Sequence, residues 1–181
     1  MSFRRLATEI DGVVLIDPTI HGDERGFFVE TFRESEMRKL GIDVDFVQDN
    51  HSRSGGQVLR GLHMQRGQAK LVRCARGRIF DVAVDLRPDS PTYKHWEGYE
   101  LDDADHRQLF IPDGFGHGFC VLSDSADVLY RLSSYYDPEL ELEVAWDDPE
   151  IAVDWPIRDP ILSDRDRGAP RLADVAQSLA R

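Results

Sequence analysis

The stretch of residues 78–86 constrains the fold more than any other feature of the sequence. Its apolar side chains fall at every second position from Phe80 to Leu86, and Asp81 and Asp85 fall between them. A period of two places alternate side chains on opposite faces of a β-strand. The stretch therefore predicts a strand with one buried face and one face toward water.

Six further apolar runs, bounded by glycine, proline, asparagine or aspartate, predict more short strands. They span residues 57–64, 70–74, 108–111, 118–122, 128–134 and 140–146. Helical signals are few: one covers residues 33–40, before a glycine stop, and the other covers Leu172–Leu179. We predict one all-β domain over residues 1–181, a sandwich or jelly roll with a few short peripheral helices.

The formal net charge of −12 restricts the possible partners. A nucleic-acid partner requires a basic face, so we expect none, whereas a small anion needs only a local cluster of donors. No stretch is apolar enough to span a bilayer, and Glu9 and Asp11 interrupt any signal-peptide run. We expect no membrane partner and a cytoplasmic location. Cys74 and Cys120 have apolar neighbours, which predicts core packing.

Two segments, residues 61–77 and 112–117, resemble the paired motifs of cupins. Metal-binding cupins carry two histidines and a carboxylate in the first motif and one histidine in the second. Here Gln65 replaces the second histidine, and the carboxylate position falls at or beside Lys70. Two remaining histidines make a poor metal site, and an ammonium repels a cation. We predict a cupin-type jelly roll with no metal and no other cofactor, in which His63 is free to act as a base.

Ten short strings of residues carry a more specific resemblance. They are residues 23–30, 48–52, 59–65, 70–74, 81–87, 111–119, 135–138, 146–149, 154–156 and 162–166. In this order and spacing they resemble the dTDP-4-dehydrorhamnose 3,5-epimerase family over roughly nine-tenths of the chain. The resemblance implies a homodimer that acts on a dTDP-4-keto-6-deoxy-sugar and inverts carbons 3 and 5. That reaction needs a base, a group that stabilises the enolate oxygen, and an acid on the other face of the ring.

The resemblance implies catalytic roles for four residues. His63 matches the base, and Asp166 matches the carboxylate that fixes the imidazole tautomer. Tyr130 matches the acid that returns a proton from the opposite face, and Lys70 would lie near the ketone and favour the enolate. The alternatives are structural: a core histidine, a tyrosine that packs its ring, and a solvated aspartate and lysine.

Ten more positions match substrate-binding positions of the family. Arg25 and Arg60 would make paired hydrogen bonds to a diphosphate, and Phe27 and Tyr136 would stack on the base. The others are Gln48 and Asn50, for the thymine or ribose edges, and Glu30, His117, Glu141 and Arg165. Each could instead be a solvated polar side chain or part of the core.

Three departures and one conflict qualify the resemblance. The segment 64–69 is shorter than in typical members, Arg165 replaces a usual lysine, and Leu142 replaces a usual glycine. Arg60 and His63 are three residues apart on one strand, so a regular strand would point their side chains to opposite faces. Either a bulge at Gly61 brings both into one pocket, or one of them is misassigned.

Four other functions stay open. Two are enzymes of the same family: a 3-epimerase of another deoxysugar pathway, and a relative that acts on a different nucleotide sugar. The third is a metal-dependent cupin oxygenase, which would contain bound iron or zinc. The fourth is a non-catalytic cupin that binds a nucleotide sugar without exchanging its protons.

Overall fold

The computed structural model describes residues 2–179, which form thirteen strands and three short helices. The strands are β1 (Phe3–Leu6), β2 (Val14–Pro18), β3 (Ile20–Asp23), β4 (Gly26–Val29), β5 (Gln48–Gly55), β6 (Leu59–Gln65), β7 (Lys70–Arg76), β8 (Arg78–Asp85), β9 (Trp96–Asp102), β10 (Gln108–Ile111), β11 (Phe115–Val121), β12 (Ser125–Leu132) and β13 (Glu141–Glu143). The helices are α1 (Glu34–Lys39), α2 (Asp164–Arg167) and α3 (Leu172–Leu179).

Eleven strands form two antiparallel sheets. The larger has the order β1-β2-β10-β7-β12-β5, and the smaller has the order β13-β6-β11-β8-β9. Strands β3 and β4 form a separate hairpin. This arrangement confirms the predicted cupin-type jelly roll with short peripheral helices.

The inner faces of both sheets bury one apolar cluster. Val72 and Leu109 of the larger sheet and Ile79 and Phe119 of the smaller sheet are at most 4% exposed within it. Full burial of a side chain of this size stabilises the fold by about 1.5–3 kcal/mol. Tyr130 packs against the cluster, so the core helps to position a predicted site residue.

Helices cover the outer faces. Helix α1 buries Met37 against the larger sheet, and the C-terminal segment buries Trp155 and Leu172 against the smaller one. The backbone N–H of Leu172 donates to buried Asp148 over 2.8 Å, which anchors the start of α3. Among the described residues, no helix has the length and apolar character needed to cross a membrane.

Strand β8 corrects one prediction, because both of its faces are buried. The alternation is present, and Val82 and Val84 lie beneath the C-terminal segment. Asp81 and Asp85 are nevertheless 0% exposed. Protein donors replace water there: His117 lies 2.8 Å from Asp81, and the turn after the strand donates to Asp85.

The other predicted elements are present, most of them with shifted ends. Residues 108–111 and α3 match their predicted bounds, and α1 begins and ends one residue inside residues 33–40. Strand β13 covers only three of the seven residues predicted. Both cysteines are fully buried, and burial raises the pKa of each thiol to about 12. They are therefore inert core residues, as predicted.

Candidate active site

A cavity of about 270 Å³ lies between the two sheets. Strands β5, β7 and β12 contribute to one wall, and β6, β11 and β13 contribute to the other. The predicted site residues that line it are Asn50, Arg60, His63, Lys70, His117, Tyr130, Tyr136, Glu141 and Arg165. Four more lining residues were not predicted: Ser52, Gln68, Phe119 and Leu132.

A bulge in β6 brings Arg60 and His63 into the same cavity. Arg60 pairs with Phe119 of β11, whereas His63 pairs with His117, so three steps on β6 oppose two on β11. Gly61 lies in the bulge with φ at 135°, and a Cβ there would lie 2.5 Å from a backbone atom of β11. Only glycine fits that position. The structure therefore contains the bulge, which is one of the two alternatives that the sequence left open, and both side chains line one cavity.

His63 and Asp166 form a hydrogen-bonded pair. The Nε2 of His63 lies 2.6 Å from Oδ1 of Asp166, which is only 4% exposed. Ser163 caps α2 and donates to the other carboxylate oxygen over 2.7 Å. Burial alone would raise the pKa of Asp166, but the hydrogen bonds from His63 and Ser163 outweigh it and lower that pKa. The ionised carboxylate only accepts, so Nε2 carries the proton and Nδ1 is the atom that can take another.

Lys70 lies on the opposite wall, with its Nζ donating to the backbone oxygen of His63 over 3.2 Å. The short segment before it does not displace it, because Lys70 lines the cavity. Burial lowers the pKa of its ammonium to about 8, although the charges of Glu141 and Asp81 oppose that shift. A cation with a lowered pKa is well suited to stabilise negative charge on a substrate oxygen.

We expect Lys70→Met to raise the free energy of unfolding at pH 7 by about 1–3 kcal/mol, because the buried charge is removed. The unfolded state, with the ordinary pKa of 10.5, binds more protons than the folded state between about pH 8 and 10.5. This group's contribution to wild-type stability thus rises with pH across that window, and the advantage of the variant shrinks there. Urea unfolding from pH 7 to 10.5 measures both effects.

Lys39→Met is the matched control, since Lys39 is exposed and pairs with Glu36 on the surface. Its unfolding free energy should change by less than about 0.5 kcal/mol. A Lys70→Met protein less stable than wild type at pH 7 would contradict the cost assigned to the buried ammonium.

His117 forms a second histidine–aspartate pair, with Asp81 at 2.8 Å. Both side chains are buried, and the second oxygen of Asp81 has no hydrogen-bond partner in the described chain. Burial lowers the pKa of His117 and outweighs the opposing charge of Asp81, which favours a neutral imidazole. Asp81 is a site residue that the sequence did not predict. Ile79 and Ala83 flank it on the same face of β8, and these apolar neighbours are the signal that could have revealed its burial.

The mouth of the cavity is lined by a charged network. Arg165 pairs with Glu141 over 2.8 Å and also with Glu143, which makes use of two separate guanidinium nitrogens. The Tyr136 hydroxyl donates to Glu141 over 2.8 Å. Burial would raise the pKa of Glu141, but hydrogen bonds from Arg165 and Tyr136 lower it. Leu142 lies in β13 rather than in a turn, so the glycine usual at that position is not required.

Gln48 lies beside the cavity and contacts two of its lining residues. Its amide nitrogen donates to Asn50 over 3.0 Å, and its oxygen accepts from the backbone N–H of Tyr136 over 3.2 Å. These contacts place the predicted nucleotide-binding residues Gln48, Asn50 and Tyr136 next to one another.

The remaining predicted residues, Arg25, Phe27 and Glu30, are not brought to this cavity within one chain. Arg25 and Phe27 lie on the β3–β4 hairpin, where Arg25 pairs with Asp23 and Phe27 is 60% exposed. Glu30 follows the hairpin and pairs with Arg33 over 2.7 Å.

Metal ligands are not clustered in residues 2–179: no group of three or more histidine, cysteine, aspartate or glutamate side chains there is placed to hold an ion. The two histidines of the cavity each contact an aspartate. Gln65, at the position of the second cupin histidine, makes its hydrogen bonds to residues 134–137 instead.

Comparison with known proteins identifies the family. The model of the dTDP-4-dehydrorhamnose 3,5-epimerase family matches residues 7–174. The chain belongs to this family. A dTDP-4-dehydrorhamnose 3,5-epimerase of Methanothermobacter thermautotrophicus is 51% identical over 170 residues, which cover 91% of this chain and 92% of that protein.

Solved structures of similar proteins agree with this membership of the dTDP-4-dehydrorhamnose 3,5-epimerase family. A Legionella pneumophila dTDP-6-deoxy-D-glucose-3,5-epimerase, in complex with dTDP-4-keto-L-rhamnose, has a TM-score of 0.94 at 46% identity and covers 98% of this chain and 96% of its own. A 3′-monoepimerase from Streptomyces bikiniensis, in complex with dTDP-quinovose, has a TM-score of 0.89 at 36% identity, with 96% and 90% covered. The fold is thus common to enzymes that invert one centre or two.

Proposed function

We propose that the protein is an isomerase that inverts carbons 3 and 5 of a dTDP-4-keto-6-deoxy-sugar without a metal. The observation that carries the proposal is the His63–Asp166 pair at 2.6 Å, in a cavity whose opposite wall holds Tyr130 and Lys70. A proton beside a ketone can be removed only if the enolate charge is stabilised on oxygen. A base, a cation and a hydroxyl group around one cavity supply the three groups required.

The chemistry assigns one step to each group. Nδ1 of His63 takes the proton from the carbon beside the ketone, and Asp166 stabilises the imidazolium that forms. The ammonium of Lys70 stabilises the oxygen of the enolate. Tyr130 returns a proton from the other face, and the stereocentre is inverted. His63 then loses its proton to water and Tyr130 regains one, and the same steps at the second carbon on the other side of the ketone complete the reaction.

The second candidate is a 3-epimerase, because a 3′-monoepimerase with the same fold is 36% identical to this chain. The higher identity of 51% to a 3,5-epimerase favours inversion at both carbons. Proton NMR of dTDP-4-keto-6-deoxyglucose with this protein in deuterated water distinguishes the two. We expect deuterium at carbons 3 and 5 and appearance of the L-sugar. Deuterium at carbon 3 alone would support the 3-epimerase, and no exchange with a bound ligand would overturn the proposed activity.

We further propose that the protein acts as a homodimer in which the β3–β4 hairpin closes the cavity of the partner. The hairpin exposes Phe27 and Phe28 to 60% and 69%, and adjacent aromatic residues this exposed are typical of a surface that is covered in an assembly. Arg25 on the same hairpin would then bind the diphosphate, and Phe27 would stack on the base.

Mixing two inactive variants tests this arrangement. Arg25→Ala lacks the hairpin contact, and His63→Ala lacks the base, so neither should turn over substrate well below saturation. After subunit exchange, about half of the dimers are mixed, and one of the two sites in each is intact. We expect recovery of roughly a quarter of wild-type activity. No recovery in a mixture that light scattering shows to be dimeric would refute the exchange of hairpins.

A further inference from the structure

Gln65 is a buried glutamine at the end of β6, only 4% exposed. Its amide nitrogen donates to the backbone oxygen of Tyr135 over 2.9 Å and to the hydroxyl of Ser134 over 3.2 Å. Its oxygen accepts from the backbone N–H of Asp137 over 2.8 Å. All three hydrogen bonds therefore go to one segment, residues 133–140, which we name the rim loop.

Apolar burial contributes little to holding the rim loop. Tyr135 and Tyr136 are 72% and 53% exposed, so their rings pack only partly against the protein. Gln68 adds a hydrogen bond to the backbone oxygen of Ser134 over 3.1 Å. Gln48 also accepts from the backbone N–H of Tyr136 over 3.2 Å. The position of the loop thus depends on polar contacts, and Gln65 makes three of them, more than any other side chain.

The rim loop carries Tyr136, which lines the mouth of the cavity. We propose that Gln65 is a positioning residue: it holds the rim loop so that Tyr136 is placed to contact the nucleotide. This inference rests on the proposed function, in which Tyr136 stacks on the base. It also gives a role to the residue that replaces a metal ligand of other cupins, because an amide can donate and accept at once.

Gln65→Met tests the inference, because it keeps the volume of the side chain and removes all three hydrogen bonds. We expect the Kd for dTDP, measured by calorimetry, to rise about tenfold, while kcat at saturating substrate stays within about twofold. Hydrogen exchange at the amide of Asp137 should accelerate about tenfold or more. Gln65→Glu keeps the acceptor for Asp137 but places a carboxylate oxygen against the backbone oxygen of Tyr135, so it should raise the Kd at least as much as Gln65→Met, and it serves if the Met variant does not fold.

The double variant with Tyr136→Ala separates positioning from a general structural role. Without the Tyr136 ring, Gln65→Met should change the Kd for dTDP by less than about twofold. Thr8→Val is the control: Thr8 donates to the backbone oxygen of Val13 over 3.0 Å, away from the cavity and the hairpin, and valine keeps the shape of the side chain without that hydrogen bond. It should leave the Kd unchanged.

Three results would overturn the inference. They are an unchanged Kd in Gln65→Met, the same tenfold rise in the Tyr136→Ala background, and an equal rise in Thr8→Val. If Tyr136→Ala alone left the Kd unchanged, Tyr136 would not contact the nucleotide, and that part of the proposed function would be wrong. Gln65 could then have no effect on affinity through Tyr136. Hydrogen exchange at the backbone amide of Asp137 distinguishes that case, because it measures in the free protein whether Gln65 holds the rim loop in place.

Discussion

His63→Ala is expected to lower kcat by about 10³-fold or more, because it removes the side chain proposed to take the proton. The Kd for dTDP should stay within about twofold, since in the proposed arrangement His63 faces the sugar rather than the nucleotide. Proton NMR in deuterated water gives the turnover and the exchange at each carbon. Calorimetry with dTDP gives the affinity.

Three variants make the His63 result specific. His95→Ala removes an exposed histidine that does not line the cavity, and it should leave turnover unchanged. Asp166→Asn keeps the shape of the pair at 2.6 Å but cannot stabilise an imidazolium, so kcat should fall about 10²-fold. Arg60→Ala should do the opposite of His63→Ala and weaken dTDP binding about tenfold. Turnover of His63→Ala within tenfold of wild type would exclude His63 as the base.

Patterns along the sequence predicted the sheet architecture where burial is periodic. The alternation of β8 predicts the strand correctly, but it also predicts that Asp81 and Asp85 face water, and both are buried. A sequence pattern reports only that a residue is polar. It cannot report that the polar face turns inward onto other polar groups, as Asp81 does toward His117. The expectation that the polar face of a strand points to water is least reliable at functional sites, where polar side chains are buried together.

The sequence pattern does not predict strand β5, for a related reason. Its sequence, residues 48–55, contains no large apolar side chain, because it is an edge strand and Asn50 and Ser52 line the cavity. The hydrophobic pattern that marks a strand is absent where one face lines a cavity and the other faces water.

The site itself came from the resemblance rather than from periodicity. His63 and Asp166 are 103 positions apart, and no local pattern predicts that they meet. The position of Lys70 in the cavity, in spite of the short segment before it, needed the structure. The contacts of Gln65 with the rim loop likewise depend on how β6 ends, which the sequence does not reveal.

Tyr130→Phe is expected to separate proton exchange from inversion. Tyr130 lies on β12 of the larger sheet and His63 on β6 of the smaller one, so the two line the cavity from opposite walls. Without the hydroxyl, His63 can still remove a proton and return one to the same face. We expect deuterium to enter the substrate at a rate within about tenfold of wild type, while formation of the inverted sugar falls about 10²-fold or more.

The same NMR experiment measures both rates in one sample, so differences in protein concentration cancel. Tyr93→Phe is the matched control, because it removes a hydroxyl group from a turn before β9 and should leave exchange and inversion equal to wild type. Loss of both rates together in Tyr130→Phe would instead assign Tyr130 to substrate binding or to enolate stabilisation. Full retention of inversion would mean that another donor, or water, supplies the proton from that face.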